Sequence, residues 1–166
     1  MSRHDQRKLS KVCNEESYKY LQEWIIKQNP NMPYPMDPMQ YFYSKTNHRQ
    51  YLSKWIEAVI SKVLKSKGAD PQKANDAGTY RDNTKIVTDI IGIQRKIGSG
   101  NWTKTSNVKP GRADITCFFK GRMLNLEVKV GNDKMSDLQK IEEIRAKNNN
   151  EEYIIIKTIE DFLILL

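Results

Sequence analysis

The sequence predicts an α/β domain that follows a helical N-terminal segment. Three stretches carry this prediction. Residues 48–68 place apolar side chains at the spacing of an amphipathic helix. Residues 113–130 form two β-rich runs around a short turn, and residues 136–158 contain a helix-like stretch followed by the apolar run of a buried strand.

Length and charge bound the class of protein. A chain of 166 residues is the size of one domain with an N-terminal extension. Lys and Arg number 28 against 20 Asp and Glu, which gives a formal charge of +8. Such an excess favours a polyanionic partner such as nucleic acid, because basic groups displace counterions from phosphates. A basic soluble protein without such a partner is the alternative.

Cysteine, histidine and apolar runs argue against zinc and membrane classes. Cys13 and Cys117 lie far apart, and His4 and His48 are the only histidines, so no zinc-ligand spacing is present. The first residues lack the apolar core of a signal peptide. No apolar run approaches the roughly 20 residues that span a bilayer. We expect a reduced, cytoplasmic protein without a membrane partner.

The N-terminal third predicts a helical arm and a linker. Residues 14–28 form an amphipathic helix pattern with Tyr18, Leu21 and Ile25 on one side. Residues 29–39 contain four prolines in eleven positions, which is incompatible with a helix or a central strand. We therefore divide the chain into an arm with its linker, residues 1–45, and a main domain, residues 46–166.

The helix expected over 48–68 has an apolar side and a basic side. Leu52, Ile56, Val59 or Ile60, and Val63 recur at helical spacing, and Gly68 suits the C-terminal cap. The other side and the end carry Lys54, Lys62, Lys65 and Lys67. Lysines in this arrangement ordinarily form a solvated helix face.

The middle of the chain predicts strands with a basic surface. Residues 69–84 are rich in turn formers, with a short strand expected near 78–81. Residues 85–109 mix β-branched residues with glycines, which favours strands or a long hairpin. Basic groups and one aromatic in flexible surroundings suit contact with phosphates and bases: Arg95, Lys96, Trp102, Lys104 and Lys109. The alternative is a solvated hairpin with Trp102 in the core.

The hairpin of residues 113–130 aligns its charged residues. If Lys120 and Gly121 form a two-residue turn, Phe119 pairs with Arg122, and Asp114 lies opposite Glu127. Because side chains alternate along a strand, the polar residues of the hairpin stem share one face, and the other face of the stem is a core face. The polar face comprises Asp114, Thr116, Asn125, Glu127 and Lys129.

Two carboxylates facing each other on neighbouring strands need a neutralising partner. A divalent cation held by oxygen ligands, Mg²⁺ or Mn²⁺, would supply it. Lys129 would then lie beside the metal, where it could orient or deprotonate a water or stabilise phosphate charge. This combination on a basic protein indicates phosphodiester hydrolysis. A solvated strand with a cross-strand salt bridge is the alternative.

The last third predicts a helix, a strand and a short helix. Residues 136–147 show an apolar stripe of Leu138, Ile141 and Ile144 or Arg145, which we expect to face the core. Residues 152–158 form a buried strand. A short helix with Phe162 and Leu165 follows from Thr158.

The motif set "GRADI", "LEVK" and "KMSDLQ" resembles the PD-(D/E)XK nuclease superfamily, and most closely its VRR-NUC and Holliday-junction-resolvase-like branch. The resemblance covers about residues 48–166. It implies a restriction-endonuclease-like αβββαβ core with a mixed sheet flanked by helices. It also implies Asp114, Glu127 and the Val128 carbonyl as metal ligands, Lys129 as the catalytic lysine, and Gln139 reaching the site. Ser136 to Gln139 is equally the capping box that a helix start needs.

One position departs from the branch. Its members often place a Glu or another polar ligand on the first core helix, where this chain has Ser53 or Lys54. Glu57, one turn later, or Gln50, one turn earlier, could substitute. The number of bound metals stays open.

The expected function is that of a metal-dependent DNA endonuclease that uses Mg²⁺ or Mn²⁺. Arg112 and Ser136 join the basic middle segment as candidate DNA contacts. By analogy the role would be structure-specific or junction-resolving, in a phage or mobile element, with a homodimer if both strands are cut. The alternatives are an accessory protein that binds nucleic acid without turnover and an RNA-directed basic protein.

Overall fold

The computed structural model describes residues 9–33, 36–42, 52–74, 79–103 and 109–166. The chain divides into two compact units. The first unit combines Met1–Lys73 with Gly111–Leu166, and the second is Ala74–Pro110. In the described ranges no helix is long and apolar enough to cross a membrane.

The first unit is a mixed α/β fold. Its helices are α1 (Glu15–Gln28), α2 (Pro38–Tyr41), α3 (Leu52–Ser66), α4 (Asp137–Asn148) and α5 (Ile159–Leu163), and its strands are β1 (Gln72–Lys73), β6 (Ile115–Phe119), β7 (Arg122–Val128) and β8 (Glu152–Ile156). The sheet order is β1-β6-β7-β8. The first two pairings are antiparallel and β7 pairs with β8 in parallel. The expected α/β class with a mixed sheet and flanking helices is therefore present.

The hairpin register agrees with the prediction. Lys120 and Gly121 have φ values of 49° and 77°, as a two-residue type I′ turn requires. Phe119 pairs with Arg122 and Thr116 with Asn125. Asp114 lies one residue before β6 begins, at the position that this register places opposite Glu127.

The apolar face of the hairpin belongs to the same buried cluster as α1 and α3. Leu21 and Ile25 of α1 lie in the same buried cluster as Ile60 of α3 and Leu124 and Leu126 of β7. Asn14 caps α1, because its side-chain oxygen accepts a hydrogen bond from the Ser17 N–H at 2.7 Å. The segment expected as an arm thus contributes to the main core, and the two compact units do not follow the predicted boundary at residues 45 and 46.

The predicted orientation of the helix after the hairpin is wrong. Leu138, Ile141 and Ile144 are 53%, 62% and 60% exposed, whereas Glu142 and Ala146 are buried. The helix, α4, covers the polar face of the hairpin and not an apolar face. Its polar side therefore turns inward, where it finds hydrogen-bond partners, and the apolar stripe remains in solvent.

The polar packing beneath α4 is extensively paired. Arg145 Nε lies 2.7 Å from Glu142 Oε1, and Arg145 also bonds both oxygens of Glu151. Asn125 Nδ2 of β7 donates to Glu151 Oε2 at 3.0 Å. Buried polar groups cost little only when they are paired in this way. The network fixes α4 across the strands that carry the candidate site.

The second unit consists of short antiparallel strands, as the sequence predicts. They are β2 (Thr79–Arg81), β3 (Lys85–Thr88), β4 (Gln94–Ile97) and β5 (Asn101–Thr103). β3 pairs with β4, and β2 pairs with β5. The isoleucines of this unit, including Ile86, Ile90 and Ile91, are exposed.

Candidate active site

The polar face of the hairpin is buried. Thr116, Asn125, Glu127 and Lys129 are 7%, 6%, 1% and 9% exposed. A solvated strand with a surface salt bridge, the alternative left open by the sequence, is thereby excluded. Buried charges are retained only where they are paired or serve a site.

Glu127 lies at the centre of this face. Gln139 Nε2 and Lys129 Nζ both contact Glu127 Oε1, the lysine at 3.0 Å. The Tyr153 hydroxyl donates to Glu127 Oε2 at 3.2 Å. Burial raises the pKa of Glu127, and the charge of Asp114 raises it further, while the contacts with Lys129 and Tyr153 lower it. The net shift of the Glu127 pKa is upward, because burial and the charge of Asp114 outweigh the contacts with Lys129 and Tyr153.

Asp114 is held at the edge of the same face. Its Oδ2 accepts a hydrogen bond from the Val128 N–H at 2.9 Å. In an extended strand the N–H and C=O of one residue point to the same side. The Val128 carbonyl therefore lies on the Asp114 side of β7, as its expected role as a ligand requires.

Lys129 lies between two carboxylates. Its Nζ is 3.0 Å from Glu127 Oε1 and 3.4 Å from Asp133 Oδ2. Burial by itself lowers the pKa of Lys129, but the hydrogen bond and charge of Glu127, together with Asp133, outweigh burial and raise it. Lys129 is therefore an ammonium at neutral pH. It can neutralise phosphate charge, but it is a poor base for deprotonating water.

Gln139 contacts both Ser136 and Glu127. Ser136 caps α4, and the Gln139 carbonyl oxygen accepts from the Ser136 N–H at 2.9 Å, which completes a capping box. The amide nitrogen of the same Gln139 side chain donates to Glu127. The helix start thus orients the central carboxylate.

Gly111 brings the segment before Asp114 against the start of α4. Its φ is +79°, and a Cβ at this position would collide with the backbone carbonyl of Leu138. Only glycine tolerates both the conformation and the close approach. Gly111, the first residue of the "GRADI" stretch, therefore positions the segment that leads to Asp114.

Glu57 is a further carboxylate of the first unit with an electrostatic link to Asp114. It is 5% exposed on α3, and Lys54 Nζ lies 2.7 Å from its Oε1. Desolvation lowers the pKa of Lys73, while the charges of Glu57 and Asp114 act in the opposite direction. Both carboxylates therefore lie within electrostatic range of one ammonium. Gln50, the other candidate for this role, lies outside the described residues.

Two residues near these carboxylates, Tyr153 and Lys73, were missed by sequence reasoning. Tyr153 reaches Glu127 because β8 runs parallel to β7 with Tyr153 opposite Asn125, a register that no local pattern reveals. Lys73 lies on the two-residue strand β1, which pairs opposite Ile115. Alternation along β8 could have nominated Tyr153 once its strand partner was known.

The candidate DNA contacts are distributed over both units of the chain. Arg112 is exposed and donates to Thr116 Oγ1 at 2.8 Å. Within the second unit, Arg95 pairs with Asp89 at 3.3 Å and Lys96 with Asp82 at 3.9 Å. Trp102 pairs through its backbone with Tyr80 in β2–β5, and Lys109 is exposed. Ser136 caps α4, and Lys104 lies outside the described residues.

The donor set suits a cation that retains waters. In the part of the chain that the structure describes, no cluster of three or more His, Cys, Asp or Glu forms a metal cage. Mg²⁺ commonly binds through one or two carboxylates and keeps several waters. Asp114, Glu127 and the Val128 carbonyl supply oxygen atoms that fit that chemistry.

Comparison with known proteins assigns no family to this arrangement. No family model, no curated protein and no solved structure matches the chain. The case for a function therefore rests on the geometry of the buried polar face.

Proposed function

We propose that the protein is a metal-dependent DNA endonuclease whose first unit is a restriction-endonuclease-like αβββαβ core. The observation that carries the proposal is the buried carboxylate of Glu127, which shares its surroundings with Asp114, Lys129 and Gln139. The order α3, β1, β6, β7, α4, β8 supports the proposed core.

Asp114, Glu127 and the Val128 carbonyl would hold Mg²⁺ or Mn²⁺. Such a cation, when bound, activates water and stabilises the charge that develops on phosphorus-bound oxygens. The raised pKa of Glu127 supports this assignment, because a cation would relieve the repulsion from Asp114. Glu57 is the candidate for a further ligand, and it leaves open whether one or two cations bind.

The protein groups have separate roles in this proposal. The Lys129 ammonium neutralises charge on the scissile phosphate and restrains Glu127. Gln139 and Tyr153 orient the Glu127 carboxylate through one hydrogen bond to each oxygen. Glu127 would exchange part of these contacts when it binds a cation.

A substrate panel tests the proposal. The protein is incubated with branched, linear duplex and single-stranded DNA in Mg²⁺, Mn²⁺ or EDTA. We expect cleavage of at least one substrate with metal and none with EDTA, and a loss of about 100-fold or more in Asp114→Asn. Asp137→Asn is the matched control, since Asp137 is an exposed aspartate that pairs with Lys140 on α4. Cleavage that persists in EDTA, or equally in Asp114→Asn, would contradict the proposal. Junction cleavage would support the junction-resolving role, and cutting of both strands would call for a homodimer.

The second candidate is an accessory protein that binds nucleic acid without turnover. It is favoured by one observation: both oxygens of Glu127 already contact protein donors. Metal-independent DNA binding with no cleavage of any substrate in the panel would select it over the nuclease.

A further inference from the structure

One side of α3 extends from Lys54, which bonds the Glu57 carboxylate, to an aromatic cleft at the end of the helix. Residues 54, 58, 61 and 65 recur at spacings of four, three and four, so they share one helix face. Lys54, at one end, bonds Glu57. Lys65 lies eleven residues further on, about 16 Å along the helix axis. Ala58 and Ser61, the small residues between them, are half-buried, and Ala58 packs partly against the core.

The cleft lies at the far end of this face. It has a volume of about 320 Å³ and is lined by Trp24, Gln28, Tyr41, Lys62, Lys65 and Ser66. That volume is at the lower end of the range of small-ligand sites, about 300–1,000 Å³. A single nucleotide is a suitable occupant in size.

The aromatic wall is preorganised. Phe42 stacks on Trp24 with ring centroids 5.7 Å apart, and Tyr41 packs edge-on against Trp24 at 6.1 Å. Trp24 Nε1 donates to Ser66 Oγ at 3.1 Å, which fixes the indole to the end of α3. Trp24 and Tyr41 are only half-buried, and their remaining surface lines the cleft.

The lysines of the cleft are unneutralised. Over the described ranges, neither Lys62 nor Lys65 forms an ion pair, whereas the exposed Lys140 and Lys147 of α4 are paired with Asp137 and Glu143. Lys62 lies 4.3 Å from the centre of the Tyr41 ring and donates to the Tyr41 carbonyl at 3.2 Å. Lysines without an ion-pair partner among the described residues, beside a fixed aromatic wall, are the elements of a single-strand binding groove.

We propose that this face of α3 and its aromatic cleft bind a single-stranded segment of DNA, with Lys62 and Lys65 on phosphates and Trp24 against a base. The inference rests on the proposed function, because the bound segment is the continuation of the strand at the carboxylates. It assigns a role to lysines that the sequence alone indicates only as a solvated face.

The test measures binding of a fluorescein-labelled single-stranded oligonucleotide of mixed sequence, in EDTA, over a series of salt concentrations. Each phosphate contact contributes about 0.7 to the slope of log affinity against log salt for single strands. The double variant Lys62→Gln, Lys65→Gln should therefore bind about tenfold more weakly, with a slope smaller by about 1.4. The control, Lys147→Gln with Lys157→Gln, removes the same charge outside the cleft and should retain the parent slope.

The aromatic wall is tested by Trp24→Phe and Trp24→Leu, with thermal unfolding to confirm folding. We expect Trp24→Leu to bind about tenfold more weakly and Trp24→Phe to lose less, because a phenyl ring retains stacking. If Trp24→Leu does not fold, the binding of Trp24→Phe and of the double variant Lys62→Gln, Lys65→Gln tests the inference. A parent-like slope in the cleft double variant, or an equal loss in both double variants, would overturn the inference.

Failure of this inference and failure of the proposed function give different results. Metal-dependent cleavage by the parent, with no dependence of binding on Lys62 and Lys65, overturns the inference alone. Binding that depends on these lysines, with no cleavage in any metal, supports the inference and overturns the endonuclease.

Discussion

The side chain of Gln139 connects the start of α4 to Glu127. Its carbonyl oxygen accepts from the Ser136 N–H, and its amide nitrogen donates to Glu127 Oε1. The local requirement for a helix cap and the orientation of the central carboxylate are thus met by one residue.

Replacing Gln139 should therefore affect catalysis more than replacing Ser136. Ser136→Ala removes the N-cap and should cost about 1 kcal/mol of unfolding free energy, with near-parent cleavage at saturating DNA. Gln139→Ala should cost a similar amount but lower the cleavage rate about 10- to 100-fold, as loss of a group that orients a ligand does. Denaturant unfolding and single-turnover cleavage measure the two effects. Equal cleavage rates in the two variants would show that Gln139 acts only as a cap.

Metal binding should weaken at acidic pH. The pKa of Glu127 lies above its ordinary value of 4.5, chiefly because of burial. In the metal-free protein the folded state then binds more protons than the unfolded state between these two values, so Glu127 makes stability fall as pH rises through that window. Cations bind the deprotonated form. The rise in Tm caused by Mn²⁺ should be large near about pH 8 and small near about pH 5.

Glu127→Gln provides the control for this dependence. The variant should show little Mn²⁺-induced rise in Tm at either pH, and its metal-free stability should no longer carry the contribution of Glu127. A Tm shift in Glu127→Gln equal to that of the parent would place the cation elsewhere.

The orientation of α4 can be tested by stability alone. Ile141 is 62% exposed and Ala146 is fully buried. Ile141→Gln should change the unfolding free energy by no more than about 0.5 kcal/mol. Ala146→Gln should destabilise by about 1–3 kcal/mol, because it overfills the contact between α4 and the sheet. A larger loss of unfolding free energy in Ile141→Gln than in Ala146→Gln would support the sequence prediction, in which the apolar stripe of the helix faces the core.

The sequence predicted the features that neighbouring residues determine, and it did not predict those that depend on contacts between distant segments. The hairpin was predictable because alternation and the Lys120–Gly121 turn together define its register. The orientation of α4 was not, because the apolar stripe of Leu138 and Ile141 does not reveal that the opposing sheet face is polar. Lys73 and Tyr153 depend on pairings with distant strands, and the long segment between β1 and β6 hides the first of them.

Replacement of Gly111 should be more damaging than replacement of Gly121. Both have positive φ values, +79° and +77°, but a Cβ would meet the Leu138 carbonyl only at Gly111. Gly121→Ala should cost about 1–2 kcal/mol from backbone strain alone. Gly111→Ala should cost more and should also slow cleavage, because it displaces the segment that leads to Asp114. Equal unfolding free energies for the two variants would contradict the close approach.

The most direct test of the central claim is the single-turnover rate of DNA cleavage in Mg²⁺ or Mn²⁺ for Glu127→Gln beside Glu143→Gln. Both variants replace one carboxylate by its amide, but Glu143 pairs with Lys147 on α4, whereas Glu127 of β7 is paired with Lys129, just past the end of that strand. We predict a loss of about 100-fold or more in Glu127→Gln and a parent-like rate in Glu143→Gln. A parent-like rate in Glu127→Gln would contradict the claim that this buried carboxylate is the centre of a nuclease site.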